Sequence, residues 1–197
     1  MVNRRIPQQE RGERRVAELL EAAASEFAEV GYDAATMKAI AKRAGASIGA
    51  VYQYFPNKEA VVSALRTQYV NEMEERWIHR EEATAGLSLK ERTQGFVDVM
   101  IRFMEDRPAY ITIMDAPADS RRDKKTRDRL RERLASVFRF QGPALSQEQA
   151  YRVASVSLQM IKSMNTLYTD AKPQERLEIA KEYKLALTAY LEHRLTS

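Results

Sequence analysis

The stretch from Gly31 to Lys58, GYDAATMKAIAKRAGASIGAVYQYFPNK, limits the fold more than any other part of the chain. Its helix starts and stops lie so close together that they leave room only for two short helices around a tight turn. Thr36 is placed to cap the first, whose apolar stripe is Met37, Ile40, Ala41 and Ala44. Gly45 ends that helix, because only glycine enters the left-handed C′ conformation cheaply. Ser47 caps a second helix running to Phe55-Pro56, and Asn57 caps a third. Such a pair is a helix-turn-helix, whose second helix enters a DNA major groove. No acidic residue lies between Ala34 and Lys58, whereas Lys38, Lys42, Arg43 and Lys58 do, a charge pattern that attracts a phosphate backbone.

On a helical wheel, Val51 and Phe55 share one face of the second helix, with Ser47 and Ile48 on its shoulders, and that face should be buried. The opposite face carries Gly49, Ala50 and Gln53, with Tyr52 and Tyr54 on its flanks. Small residues in the middle let the backbone approach a groove floor. Gln53 offers a bidentate amide to an adenine edge, and the Ala50 methyl suits a thymine methyl. The tyrosine hydroxyls suit the two phosphate walls. Lys58 opens the third helix, where its charge and the free N–H groups both favour a phosphate.

Gly31-Tyr32, Thr36, Ile40-Ala41, Ala44-Gly45, Ser47, Gly49, Tyr52, Tyr54-Phe55 and Lys58-Glu59 together resemble the DNA-binding signature of TetR-type (tetracycline-repressor-like) bacterial regulators, over about residues 11–65. The resemblance implies that Thr36, Ser47, Gly49, Tyr52, Tyr54 and Lys58 contact DNA, mostly its backbone. Three positions depart from the usual pattern: Ala35 stands where threonine is common, Ala46 where valine or serine is, and Ile48 where lysine is. The last removes one expected phosphate contact and leaves the fold untouched.

Composition is compatible with this reading. The chain has 197 residues, 44% hydrophobic content, a net charge of +4 and no cysteine. It can build a core, it is mildly basic, and it has neither disulfides nor thiolate metal sites. No signal-peptide core and no run of ~18 apolar residues is visible. The expectation is therefore a cytoplasmic protein without a membrane partner.

No segment alternates with period two, so the fold expected is all-α throughout. Domains are expected at 1–58, an N-terminal arm and helix-turn-helix DNA-binding domain, and at 59–197, a C-terminal helical domain for ligand sensing and dimerisation. Residues 1–12, with Arg4, Arg5 and Arg11, read as a basic arm or solvated tail. A first helix from Glu13 to Val30 buries Val16, Leu19, Leu20, Ala23, Ala24, Phe27 and Ala28. A fourth, 58–80, carries Val61, Val62 and Leu65 into the head, then Tyr69, Met73 and Trp77 at four-residue spacing into the C-terminal domain. Ser88–Glu91 and Ser146–Gln149 are capping boxes for two later helices, and Pro173 opens the last. A short helical piece spans 108–116 and a charged helix 119–140. Arg121–Arg133 holds eight cations and three acids, read as a solvated face with Leu130, Leu134, Val137 and Phe138 inward.

The last two helices present Val153, Ala154, Ser157, Ile161, Met164 and Tyr168, then Leu177, Ala180, Tyr183, Leu187, Tyr190 and Leu191. The resemblance implies a homodimer through this pair, and a two-fold operator needs two heads. A cavity for a small apolar or amphipathic effector is expected, lined from Trp77, Phe96, Met100, Phe103, Met104, Tyr110, Met114, Phe138, Met160, Met164 and Tyr168, because flexible methionines and aromatics suit greasy ligands. The same residues at helical spacing also read as plain core. His79 and Glu82 sit at i, i+3, a spacing that can bind a metal but that a solvated helix surface explains better. With no phosphate loop, nucleophile elbow or zinc spacing, no catalytic residue, cofactor or metal is expected. The reading is thus a DNA-binding transcriptional regulator, a ligand-released repressor acting on a palindromic operator. Its rivals are an inducer-less DNA-binding protein and a helical enzyme or interaction module that binds no DNA.

Overall fold

Side-chain caps place five helix starts in the computed structural model, which describes residues 5–83, 86–117, 120–141 and 144–196. The described residues form helices α1 (Arg5–Ala34), α2 (Met37–Arg43), α3 (Ile48–Tyr54), α4 (Lys58–Ala83), α5 (Leu89–Asp106), α6 (Tyr110–Asp115), α7 (Ser120–Gln141), α8 (Gln147–Asp170) and α9 (Pro173–Thr196), and no strand. Thr36 Oγ1 accepts from Ala39 N at 3.1 Å, Ser47 Oγ from Ala50 N at 3.2 Å, and Asn57 Oδ1 from Ala60 N at 2.8 Å. Both capping boxes form: Glu91 accepts from Ser88 N at 2.8 Å, and Gln149 from Ser146 N at 2.8 Å. These bonds satisfy N–H groups that a helix start otherwise leaves open.

Residues 5–12 are not an arm. They extend α1, which begins at Arg5. Pro7 falls in the first turn, where its missing N–H costs nothing, and Gln8, Gln9, Glu10 and Arg11 favour helix. Arg4 lies outside the described residues. The regular course of α1 breaks at Gly31, with φ 77° and ψ 174°.

The chain divides into two compact units: residues 1–69 with 107–123, and residues 70–106 with 124–197. The sequence expects a division at residue 58; by packing, the first unit also takes the opening turns of α4 and all of α6. Its core is Leu19, Ala23 and Phe27 of α1, Ile40 of α2, Val51 of α3, and Val61, Val62 and Leu65 of α4. Each large apolar side chain among them contributes about 1.5–3 kcal/mol on burial. α6 packs on α1. Arg66, buried on α4, donates to the carbonyls of Ile113 (2.9 Å) and Ala116 at the end of α6. Tyr110 of α6 meets Tyr69 with ring centroids 6.1 Å apart.

In the second unit α9 packs on both α5 and α8. Val153, Ala154, Ser157, Ile161 and Met164 of α8, and Ala180, Leu187 and Leu191 of α9, are buried within the single chain. The resemblance implies a homodimer through these two helices; within the single chain these particular residues close the protomer's own core. On α7, Leu134 and Phe138 are buried while Lys124, Lys125, Arg127 and Arg129 are exposed, so the described part of the basic run is a solvated face.

Candidate nucleic-acid interface and cavity

The loop between α2 and α3 is closed by two bonds, Gly45 N to Lys42 O at 3.2 Å and Ala46 N to Ala41 O at 2.9 Å, with Gly45 at φ 58°. This paired return of the chain is a Schellman motif, and it aims α3 across α2. Val51 and Phe55 anchor α3 at 0% and 7% exposure. Its other face is open. Gly49 and Gln53 are exposed, Tyr52 and Tyr54 are 51% and 40% exposed, and Ala50 is half-buried. Ile48, expected on the shoulder of the buried face, is 41% exposed, so it belongs to the outer surface. Thr36 and Ser47 are exposed caps whose hydroxyl oxygens are engaged with backbone N–H groups.

Gly49 is informative because nothing in the protein requires it. A Cβ built there meets no atom within 4 Å, and its φ is ordinary. Glycine in a helix costs up to about 1 kcal/mol relative to alanine. The missing side chain therefore serves no contact within the chain, and it lies on the side that α3 turns to solvent.

The four cations of this region divide evenly. Lys38 and Lys42 are exposed on α2. Arg43 is tied to Glu26 at 3.0 Å and also to Glu29, both on α1. Lys58 is turned inward. Its ammonium donates to the carbonyls of Tyr32 (2.6 Å), Asp33 (3.2 Å) and Ala35 (3.0 Å), and lies 4.2 Å from the centroid of the Tyr32 ring. All three of its protons are engaged, so the side chain expected to meet phosphate instead closes the C-terminal end of α1. The Tyr32 hydroxyl donates to Glu59 at 3.0 Å. Burial, and then that bond, push the tyrosine's pKa up. The Glu59 carboxyl is held below its ordinary value by its own backbone N–H and by Tyr32.

The second unit contains a cavity of about 90 Å³. Trp77 of α4, Leu89, Arg92, Thr93 and Phe96 of α5, Leu130, Arg133, Leu134, Val137 and Phe138 of α7, Ser157 of α8, and Leu187 and Leu191 of α9 line it. Trp77 and Phe96 stack with centroids 4.4 Å apart. Of the expected lining residues, Trp77, Phe96 and Phe138 are there. The others are not. Met100, Phe103 and Met104 lie beyond the first two turns of α5, where packing is closed, and Met164 is fully buried in α8. Tyr110 and Met114 belong to α6, in the first unit. Met160 and Tyr168 are both half-buried and absent from the cavity lining, with Tyr168 donating to Glu105 at 3.2 Å. Weighting methionines and aromatics missed the aliphatic lining, Leu89, Leu130, Leu134, Val137, Leu187 and Leu191, and the polar Arg92, Thr93, Arg133 and Ser157. The available signal was that Leu89, Arg92 and Phe96 share one helical face, a cation interrupting an apolar stripe.

Among the described residues, no group of three or more His, Cys, Asp and Glu side chains is arranged to hold a metal, and no helix is long and apolar enough to cross a membrane.

The chain matches the family of bacterial regulatory proteins, tetR family, over residues 19–65, and the tetracyclin repressor-like C-terminal domain over residues 88–191. It is 38% identical over 58 residues to an uncharacterized HTH-type transcriptional regulator, YhgD, of Bacillus subtilis (strain 168), a match spanning 29% of this chain and 30% of that protein. In structure it is similar to a TetR-family transcriptional regulator from Streptomyces coelicolor, with 26% identity, a TM-score of 0.75, and coverage of 92% of this chain and 99% of that one. The transcriptional regulator FadR from Bacillus subtilis, solved in complex with stearoyl-CoA, shares the fold at 15% identity and a TM-score of 0.65, covering 91% and 97%.

Proposed function

This chain belongs to the TetR family of DNA-binding transcriptional regulators, which are not enzymes, and on that premise we propose that it is a ligand-released repressor that binds a palindromic operator as a dimer. The observation that carries the proposal is the outward face of α3, with Gly49 and Gln53 exposed between Tyr52 and Tyr54. In this reading Gly49 and Ala50 admit the groove floor, Gln53 reads an adenine edge, and the tyrosine hydroxyls reach the phosphate walls. Thr36 and Ser47 pre-order the helix starts beside the backbone. Lys38 and Lys42 supply free phosphate-seeking charge, whereas Arg43 is paired with Glu26 and the Lys58 ammonium is held on backbone carbonyls of the head.

The effector enters the cavity of the second unit. TetR family regulators bind operator DNA and small-molecule effectors as dimers, and a protein of this fold is known with stearoyl-CoA bound. At about 90 Å³ the cavity is below the ~300–1,000 Å³ usual for small-molecule sites, so binding has to open it. Trp77 lies on α4, the helix that begins at Lys58, so a ligand that displaces Trp77 acts on an element of the head. A hundredfold preference of the ligand for the DNA-incompetent state, roughly 2.7 kcal/mol, suffices for a marked loss of occupancy.

Selection of bound genomic fragments, followed by fluorescence anisotropy on the recovered site, tests the reading. Gly49→Ala should leave or raise the melting temperature yet weaken operator binding. Tyr52→Phe should weaken binding to all sequences alike, roughly tenfold for a lost bond to phosphate. Gln53→Ala should flatten preference at particular base pairs by about 1–3 kcal/mol. No salt-sensitive binding to any fragment, or a Gly49→Ala protein that binds as well as the parent, overturns it.

A further inference from the structure

Five buried side-chain polar atoms among the described residues lack a hydrogen-bond partner: Ser63 Oγ, Trp77 Nε1, Arg92 Nε, Asn165 Oδ1 and Thr188 Oγ1. Two of the five belong to residues that line the cavity, Trp77 Nε1 and Arg92 Nε. Both are N–H groups that can only donate. Trp77 as a whole is 8% exposed, so its indole N–H is cut off from bulk water. Such a donor is costly to bury and is ordinarily paired.

The rest of the lining sharpens the chemistry. The described lining residues include two arginines, Arg92 and Arg133, and neither an aspartate nor a glutamate. The hydroxyl protons of Thr93 and Ser157 are already spent, on Leu89 O at 2.8 Å and Val153 O at 2.9 Å. The lining residues therefore bring positive charge and two unanswered N–H donors, Trp77 Nε1 and Arg92 Nε, which the closed cavity keeps buried in a largely apolar wall. We propose that its ligand is a carboxylic acid with an apolar body, whose carboxylate accepts from Arg92 Nε and Trp77 Nε1 while its body lies along the Trp77–Phe96 stack and the leucines of α7 and α9. This deepens the reading of the second unit as the effector domain and rests on it. A carboxylate is favoured over a neutral acceptor because it has lone pairs for both donors and a charge to set against the guanidinium.

The test uses the full chain and a panel of straight-chain carboxylates from hexanoate to dodecanoate, with phenylacetate, each beside its own primary amide. Binding is followed by titration calorimetry and by thermal shift. Acids of the best-fitting length should bind at least about tenfold more tightly than the matched amides, as a charge-assisted bond predicts. Arg92→Gln should abolish that preference while the protein stays folded by circular dichroism, and Arg92→Lys should restore part of it. Trp77→Phe keeps the stacked ring and loses the donor, so it serves as an independent variant and should weaken acid binding several-fold. The proposal is overturned by acids and amides binding equally, by an acid preference that survives Arg92→Gln in folded protein, or by no binding of either series, which would assign the two donors to water. Operator binding is measured in parallel. Intact DNA binding with no acid preference sinks this inference alone, whereas acid binding that never releases DNA sinks the ligand-released reading and leaves the site standing.

Discussion

Lys58 shows how a single side chain can change role between a sequence and a fold. Beside an N-cap asparagine it reads as a phosphate ligand, but its ammonium donates to three carbonyls at 2.6, 3.2 and 3.0 Å, at the end of α1. Removing it leaves those carbonyls short of a donor, and such groups cost about 1–3 kcal/mol when buried. Lys58→Met should therefore lower thermal stability by an amount in that range. Operator binding by the folded fraction should keep its salt dependence. A slope of log K against log salt that flattened by about one per subunit would instead place Lys58 on a phosphate.

At the scale of elements, the helix starts and stops do most of the positioning. Thr36, Ser47, Asn57, Ser88 and Ser146 all bond a backbone N–H of the first turn, so five helices begin where a short polar side chain tells them to. Gly45 performs the opposite task. Its φ of 58° lets the chain leave α2 and enter α3, and a Cβ there would meet nothing within 4 Å. The cost of Gly45→Ala is thus conformational alone, about 1–2 kcal/mol for a left-handed alanine. Chemical denaturation should show that loss, and operator affinity should fall further than stability because the angle between α2 and α3 is set there. An unchanged protein would mean that the turn has another way to close.

For the molecule as a whole, dimerisation needs an outward apolar surface to meet a second copy. Of the stripe that the sequence pattern offers for that purpose, Val153, Ala154, Ser157, Ile161, Met164, Ala180, Leu187 and Leu191 are inside the protomer. Apolar and outward on α8 are Val156 and Leu167, at 45% and 50% exposure, and on α9 Leu177 and Leu185, at 62% and 66%. These are the residues through which we place the dimer. Leu185 and Leu187 sit two positions apart, and the latter is 2% exposed. Leu185→Glu should leave a folded monomer by sedimentation, still able to bind its ligand but with operator affinity sharply reduced. Leu187→Glu should unfold the chain, since it buries an unpaired charge. A Leu185→Glu protein that remains dimeric would move the interface elsewhere.

The boundary between what was readable and what was not follows the range of the interactions. The helical class, the caps, the Schellman turn and the buried Val51–Phe55 face of α3 are decided within a few residues of the chain, so the order of residues suffices for them. The sequence alone also marked Trp77, Phe96 and Phe138. Which apolar face of α8 and α9 looks inward, where α5 stops being closely packed, and which cations near α3 are already answered by Glu26, Glu29 or the carbonyls of Tyr32, Asp33 and Ala35 depend on groups brought together from far apart. Local pattern fixes only that a face is apolar or a residue charged. The partner that satisfies it, and the two donors at Trp77 and Arg92 left without one, come into being only when the helices pack.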